Sequence, residues 1–107
     1  MGISSVKIVG SGLIGTSIGL ALSSKNIHVL MVDADASAAS LAQSLVDPDR
    51  LFIAGHSFDV VVIATPPSAF TEVLTREVLL NPLSTFVDIF SIKTKPEVEV
   101  NAFAELA

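Results

Sequence analysis

The chain has 107 residues, half of them hydrophobic, with a mean hydropathy of +0.70 and a formal net charge of -5. This suits one globular domain with its own core and excludes a disordered or heavily solvated segment. The sequence pI near 4.7 argues against the broad basic surface of a nucleic-acid binder, and the absence of cysteine removes disulfides, thiolate metal sites and a cysteine nucleophile.

The first element expected is a strand over Ile3 to Val9, followed by the turn Gly10-Ser11-Gly12-Leu13-Ile14-Gly15. From Leu13 to Ser24 the period changes, and Ile14, Ile18, Ala21 and Leu22 share one face of a helix. Gly19 weakens that helix by about 1 kcal/mol relative to alanine, so its presence predicts a close packing contact. Ile27 to Val32 reads as a second strand ending at Asp33. Ala38, Leu41, Ala42 and Leu45 give a second helical stripe, broken by Asp47-Pro48-Asp49. A short strand is expected around Leu51 to Ile53, then one over Asp59 to Thr65 in which Val60-Val61-Val62-Ile63 is continuously apolar, as in a parallel strand covered on both faces. Pro66-Pro67 ends it. Ser68 is the expected cap of a helix through about Leu80, with Phe70, Val73, Leu74 and Val78 on its buried side. Ser84 to Ile89 supplies a last strand, and Thr94 to Glu97 has capping-box spacing ahead of a final helical segment. Strands alternating with helices predict a single α/β domain spanning residues 1–107, a doubly wound parallel sheet of the Rossmann type, with its ligand crevice at the strand C-terminal ends.

The turn Gly10-x-Gly12-x-x-Gly15 between a strand and a helix has the geometry that holds a dinucleotide pyrophosphate. Gly10 makes the tight turn, Gly12 lets the backbone approach the phosphates, and Gly15 lets helix and strand pack closely. The amides of Ser11, Leu13 and Ile14 lie in the same turn, and the helix terminus binds an anion without a basic side chain. Asp33 stands 18 positions beyond Gly15, near the offset of roughly 20 at which a carboxylate accepts from the adenosine ribose. With Asp35 close by and no neighbouring arginine, a 2′-phosphate is disfavoured, so NAD is expected over NADP. Alternatively, Asp33 caps the next helix. Ala64-Thr65-Pro66 reads either as a wall along the nicotinamide half or as an ordinary strand-stopping turn. Ser91 and Lys93 place a hydroxyl and an ammonium at the same edge, with ordinary loop polarity the competing reading. Neither His28 nor His56 is expected at that edge. The scattered carboxylates have no ligand spacing, so no metal is expected. No basic segment precedes a long apolar run, and none approaches the roughly 18 apolar residues of a membrane helix. A soluble, cytoplasmic protein without nucleic-acid or membrane partners is expected.

Two stretches carry a family resemblance. Val9-Gly-Ser-Gly-Leu-Ile-Gly-Thr-Ser-Ile-Gly-Leu-Ala-Leu22 resembles the extended glycine motif of the prephenate and arogenate dehydrogenases of tyrosine biosynthesis, and Val87-Asp-Ile-Phe-Ser-Ile-Lys93 is similar to their Asp-x-x-Ser-x-Lys motif. Ala64-Thr65-Pro66 takes the corresponding place between them. The resemblance implies an NAD-binding domain, with Ser91 close to the nicotinamide and the ring hydroxyl being oxidised, and Lys93 helping to organise an anionic site. Phe90 departs from the pattern, which has a small residue there. The family's substrate histidine and carboxylate-binding arginine lie further along, as does a helical domain that builds a homodimer. The resemblance therefore implies an incomplete part of a larger enzyme, inactive as this fragment. A 6-phosphogluconate-type or β-hydroxyacid dehydrogenase and a non-catalytic NAD-binding module share the first motif and are the alternatives.

Overall fold

The computed structural model describes residues 2–49, 52 and 56–89. Within them the chain forms β1 (Ser5–Val9), α1 (Leu13–Ser23), β2 (His28–Val32), α2 (Ala36–Val46), β3 (Val60–Ile63), a 3-10 turn (Pro67–Ala69), α3 (Phe70–Leu80) and β4 (Thr85–Asp88). Every strand pairing is parallel, in the order β2-β1-β3-β4. The chain moves outward from β1 to β2, then returns past β1 to β3 and on to β4. The winding reverses between β1 and β3, and a crevice at the strand C-terminal ends belongs there.

Side-chain alternation along each strand divides the core in two. Val6, Ile8, Val29, Met31, Val60 and Val62 face α1 and α2, where they meet Ile18, Leu22, Ala42 and Val46. Val9, Val61 and Ile63 face the other way, onto Phe58 and Val73, flanked by Phe52, Phe70, Leu74 and Phe86. Both faces are covered, so β3 is buried along its whole length, as its apolar run predicts.

On α1 the buried face is Gly15, Ile18, Gly19 and Leu22. A Cβ on Gly19 would stand 3.0 Å from both Met31 Sδ and Val46 Cγ1, so this glycine permits the contact among α1, α2 and β2. The α2 stripe is rotated from its expected face: Ala42 and Val46 are buried, whereas Leu41 and Leu45 are 65% and 59% exposed. A polar requirement accompanies that rotation. Gln43 Oε1 accepts from Met31 N at 2.8 Å, Gln43 Nε2 donates to Val29 O at 2.9 Å, and Asp47 Oδ2 accepts from Val29 N at 3.1 Å. Backbone groups on the outer side of β2 thus find side-chain partners, as buried donors and acceptors must. The strand expected around Leu51 to Ile53 lies outside the described residues apart from Phe52, which is not in a strand.

Ser68 is not the cap of α3. The helix is entered through the 3-10 turn that starts at Pro67, whose fixed φ suits a first helical position, and no side chain caps it. Its buried residues are Val73 and Glu77; Val78, expected inside, is exposed, and Phe70 and Leu74 are half-buried. At the end of the sheet opposite the crevice, Asp59 accepts from Ser4 N at 2.8 Å, Ser4 Oγ at 2.9 Å and Ser5 N at 3.1 Å, tying the starts of β1 and β3 together.

Candidate dinucleotide site

Gly10 leaves β1 with φ of +112°, and a Cβ there would lie 2.5 Å from Ala64 O. Its amide donates to Val32 O at 2.7 Å. Only glycine can bring this turn so close to the end of β3 while staying bonded to the end of β2. Gly15 completes the packing: its Cβ would overlap the carbonyl oxygen of Gly10. Gly12 is different. No atom lies within 4 Å of a Cβ built there, so its face opens into the crevice.

Gly12 is also the N-cap of α1, extended at φ -70° and ψ -168°, and no side chain caps the helix. The amides of its first turn therefore lack a protein side-chain acceptor, and the positive end of the helix dipole faces an open cradle. Such a terminus binds phosphate through backbone N–H groups.

Asp33 follows β2 and meets the glycine turn directly. Its Oδ2 accepts from Ser11 N and Ser11 Oγ, each at 2.8 Å, and its Oδ1 accepts from Asp35 N at 2.9 Å. The Ser11 amide first, then the Asp35 amide, hold its carboxyl below the ordinary carboxylate range, against the opposing effect of burial; the Ser11 hydroxyl adds to the lowering. The helix-capping role weighed for Asp33 falls to Asp35, whose Oδ1 accepts from Ser37 N at 2.9 Å and Ala38 N at 3.2 Å.

A cleft of about 1050 Å³ joins these parts. Gly10, Gly12, Leu13, Ile14 and Gly15 line it on one side, Asp33 at the end of β2, and Ala64, Thr65 and Pro66 at the end of β3. Leu13 is 85% exposed at its mouth. Thr65 Oγ1 is the one buried side-chain polar atom among the described residues with no hydrogen-bond partner. A buried hydroxyl left unpaired is costly. The uncapped helix and the open face of Gly12 fit the phosphate chemistry of a dinucleotide.

The sequence reading missed the wall contributed by α3. Lys7, in the middle of β1, pairs with Glu77 at 2.7 Å, and Glu77 also takes Asn81 Nδ2 at 3.2 Å and Arg76 Nε at 3.5 Å. The side chains of Lys7 and Glu77 are 12% and 2% exposed, and Lys7, Glu72, Arg76 and Glu77 all line the cleft. The only available signal was a lysine interrupting the run Val6-Lys7-Ile8-Val9. Arg76, on α3 and far along the chain from Asp33 and Asp35, also reaches the cleft lining. Its charge is offset by Glu72 and Glu77 in the same wall.

Ser91 and Lys93 lie outside the described residues, as does Phe90. Asp88 pairs in register with Ile63, so β4 ends level with β3. Neither described histidine stands at the crevice: His28 opens β2 at its far end, and His56 packs edge-on against Phe52 and Phe58 at 5.0 and 4.8 Å. Among the described residues no group of three potential metal ligands occurs, and no helix is long and apolar enough to cross a membrane.

Over 95 residues, 89% of its length, the chain is 28% identical to the probable prephenate dehydrogenase NovF of Streptomyces niveus. It spans 26% of the length of that relative. The similarity agrees with the resemblance carried by the two motifs. The family described as "NADP oxidoreductase coenzyme F420-dependent" matches residues 5–91, which include the glycine turn, Asp33 and the end of β3. The chain belongs to this family and carries its NAD(P)-binding oxidoreductase domain.

Proposed function

We propose that the chain is the cofactor-binding part of an NAD-dependent prephenate or arogenate dehydrogenase, acting in tyrosine and hence aromatic amino acid biosynthesis. The observation that carries the cofactor half of this reading is the open face of Gly12 at the uncapped start of α1, next to a carboxylate fixed by Ser11. The substrate half rests on the two motifs and on the similarity to NovF.

In this reading the amides of Leu13, Ile14 and Gly15 hold the pyrophosphate, Asp33 accepts from the adenosine ribose, and Ala64, Thr65 and Pro66 border the other half. The preference for NAD follows from charge. Lys7 and Arg76 are the cations among the described lining residues, and they stand against Asp33, Glu72 and Glu77. Lys7 is already paired with Glu77. A 2′-phosphate would bring two further negative charges to a lining with no surplus of positive charge. When bound, the nicotinamide supplies the hydride acceptor for a ring carbinol, whose oxidation is followed by loss of carboxylate and aromatisation. By resemblance, Ser91 positions the hydroxyl and Lys93 helps to hold an anionic group. The proton acceptor and the substrate carboxylate clamp come from elsewhere in the complete, homodimeric, cytoplasmic enzyme, and the isolated chain binds cofactor without turning over.

The test is the formation of reduced nicotinamide by the complete protein, with prephenate and arogenate each offered with NAD and NADP. Reduction of NAD by one of the two substrates is expected. Inactivity toward both, or a preference for NADP, would contradict the proposal.

A further inference from the structure

A carboxylate offers about four in-plane acceptor positions, two on each oxygen. At Asp33 three are occupied: both on Oδ2, by the amide and hydroxyl of Ser11, and one on Oδ1, by the amide of Asp35. Two of these donors are backbone amides, set by the glycine turn and by the entry to α2. The third, the Ser11 hydroxyl, can be removed without altering the backbone. Asp33 itself faces the cleft.

We infer that Ser11 is a specificity-determining residue that limits Asp33 to a single hydrogen bond from the adenosine ribose, on Oδ1, so that only one of the two ribose hydroxyls is read. This inference rests on the cofactor reading above and deepens it. In NAD, the hydroxyls at the 2′ and 3′ positions could together use one acceptor on each carboxylate oxygen. Here the Ser11 hydroxyl holds the position on Oδ2 that the second would need. Loss of that hydroxyl opens Oδ2 while the Ser11 amide still orients the carboxylate. The variant therefore gains a charge-assisted bond to the ligand, and removing a polar group from the site tightens binding. NADP, which lacks a free 2′ hydroxyl and carries negative charge beside Asp33, does not share the full gain.

The test is calorimetric titration of the chain and its Ser11→Ala variant with NAD, NADP, and NAD lacking either the 2′ or the 3′ hydroxyl of the adenosine ribose. Wild type is expected to lose affinity for one deoxy form and to bind the other like NAD. Ser11→Ala is expected to bind NAD about fivefold more tightly, to become sensitive to both deletions and to raise its NAD to NADP ratio. Equal losses for the two deoxy forms in wild type would overturn the inference, because Asp33 would already be reading both hydroxyls. Weaker NAD binding by Ser11→Ala would also overturn it, since the hydroxyl would then be serving the ligand. Ser11→Gly repeats the test should alanine disturb the turn, and the wild-type comparison needs no variant. Failure of the cofactor reading looks different: wild type would bind no NAD, and both that reading and this inference would fall.

Discussion

Gly12→Ala separates the fold of the glycine turn from its use. No atom lies within 4 Å of the added Cβ, and φ -70° with ψ -168° is backbone that alanine adopts freely. Alanine is a poorer N-cap than glycine by several tenths of a kcal/mol, but it restricts the unfolded chain and returns about 0.4–1 kcal/mol. The net change in stability is then within about 1 kcal/mol, or a melting shift of no more than about 4–8 °C for a domain of this size. Binding responds differently, because the methyl occupies the space through which the pyrophosphate reaches the first amides of α1. Loss of two charge-assisted hydrogen bonds at about 1.5–3 kcal/mol each lowers NAD affinity by roughly 100-fold or more. Gly15→Ala is the converse case. Its Cβ overlaps Gly10 O, an atom of the backbone that cannot rotate away, so the turn must move by an amount on the order of 1 Å. A cost of about 1–3 kcal/mol or more follows, as for other overpacked sites. Thermal melts and calorimetric NAD titrations of both variants check this pair. Gly12→Ala binding NAD within twofold of wild type, or losing as much stability as Gly15→Ala, would rule out an open phosphate cradle at Gly12.

Lys7→Met leaves the Glu77 carboxylate, 2% exposed, without its closest cation and costs about 3–5 kcal/mol in chemical denaturation. Pairing it with Glu77→Leu recovers most of that loss, and a double variant as unstable as the single would contradict the role given to the ion pair. Asp33→Asn removes the fixed charge beside the ribose and raises NADP affinity relative to NAD; an unchanged ratio in competitive titration would remove Asp33 from cofactor choice. Asp33 and Asp59 are both held below the ordinary carboxylate value of 3.8, each chiefly by backbone amides, from Ser11 and Ser4 respectively. Their folded values lie below their unfolded ones, so the stability they contribute is complete above that value and is lost as pH falls through the folded values. Denaturation midpoints should therefore drop on acidification below about pH 4, and Asp59→Asn should flatten that drop.

The periodicity of apolar residues located β1, α1, β2, α2, β3, α3 and β4 because each buries against a neighbour of matching period. Residues whose positions depend on partners distant in the chain were harder to read. Leu41 and Leu45 fit a helical stripe by spacing, yet Gln43 turns α2 so that its amide serves the outer side of β2. Ser68 had the chemistry of a cap, but Pro67 starts the turn a residue earlier. The steric demands at Gly10 and Gly15 were legible in the glycine spacing, and the place of Asp33 in the end of the β2 apolar run. The Ser11 contact with Asp33 spans 22 positions, and the Lys7 pair with Glu77 spans β1 and α3, so neither follows from spacing. Lys7 was still visible as an anomaly, since a charge inside a buried strand calls for a partner.

Backbone amide NMR of the 107-residue chain during titration with NAD reports which residues meet the cofactor. Cofactor binding at the glycine turn predicts saturable shifts concentrated on the amides from Gly10 to Thr16, on Asp33 to Asp35 and on Ala64 and Thr65, with the α2 residues around Leu41 and Leu45 unaffected. An absence of shifts at high NAD, or shifts that leave the glycine turn unmoved, would contradict it.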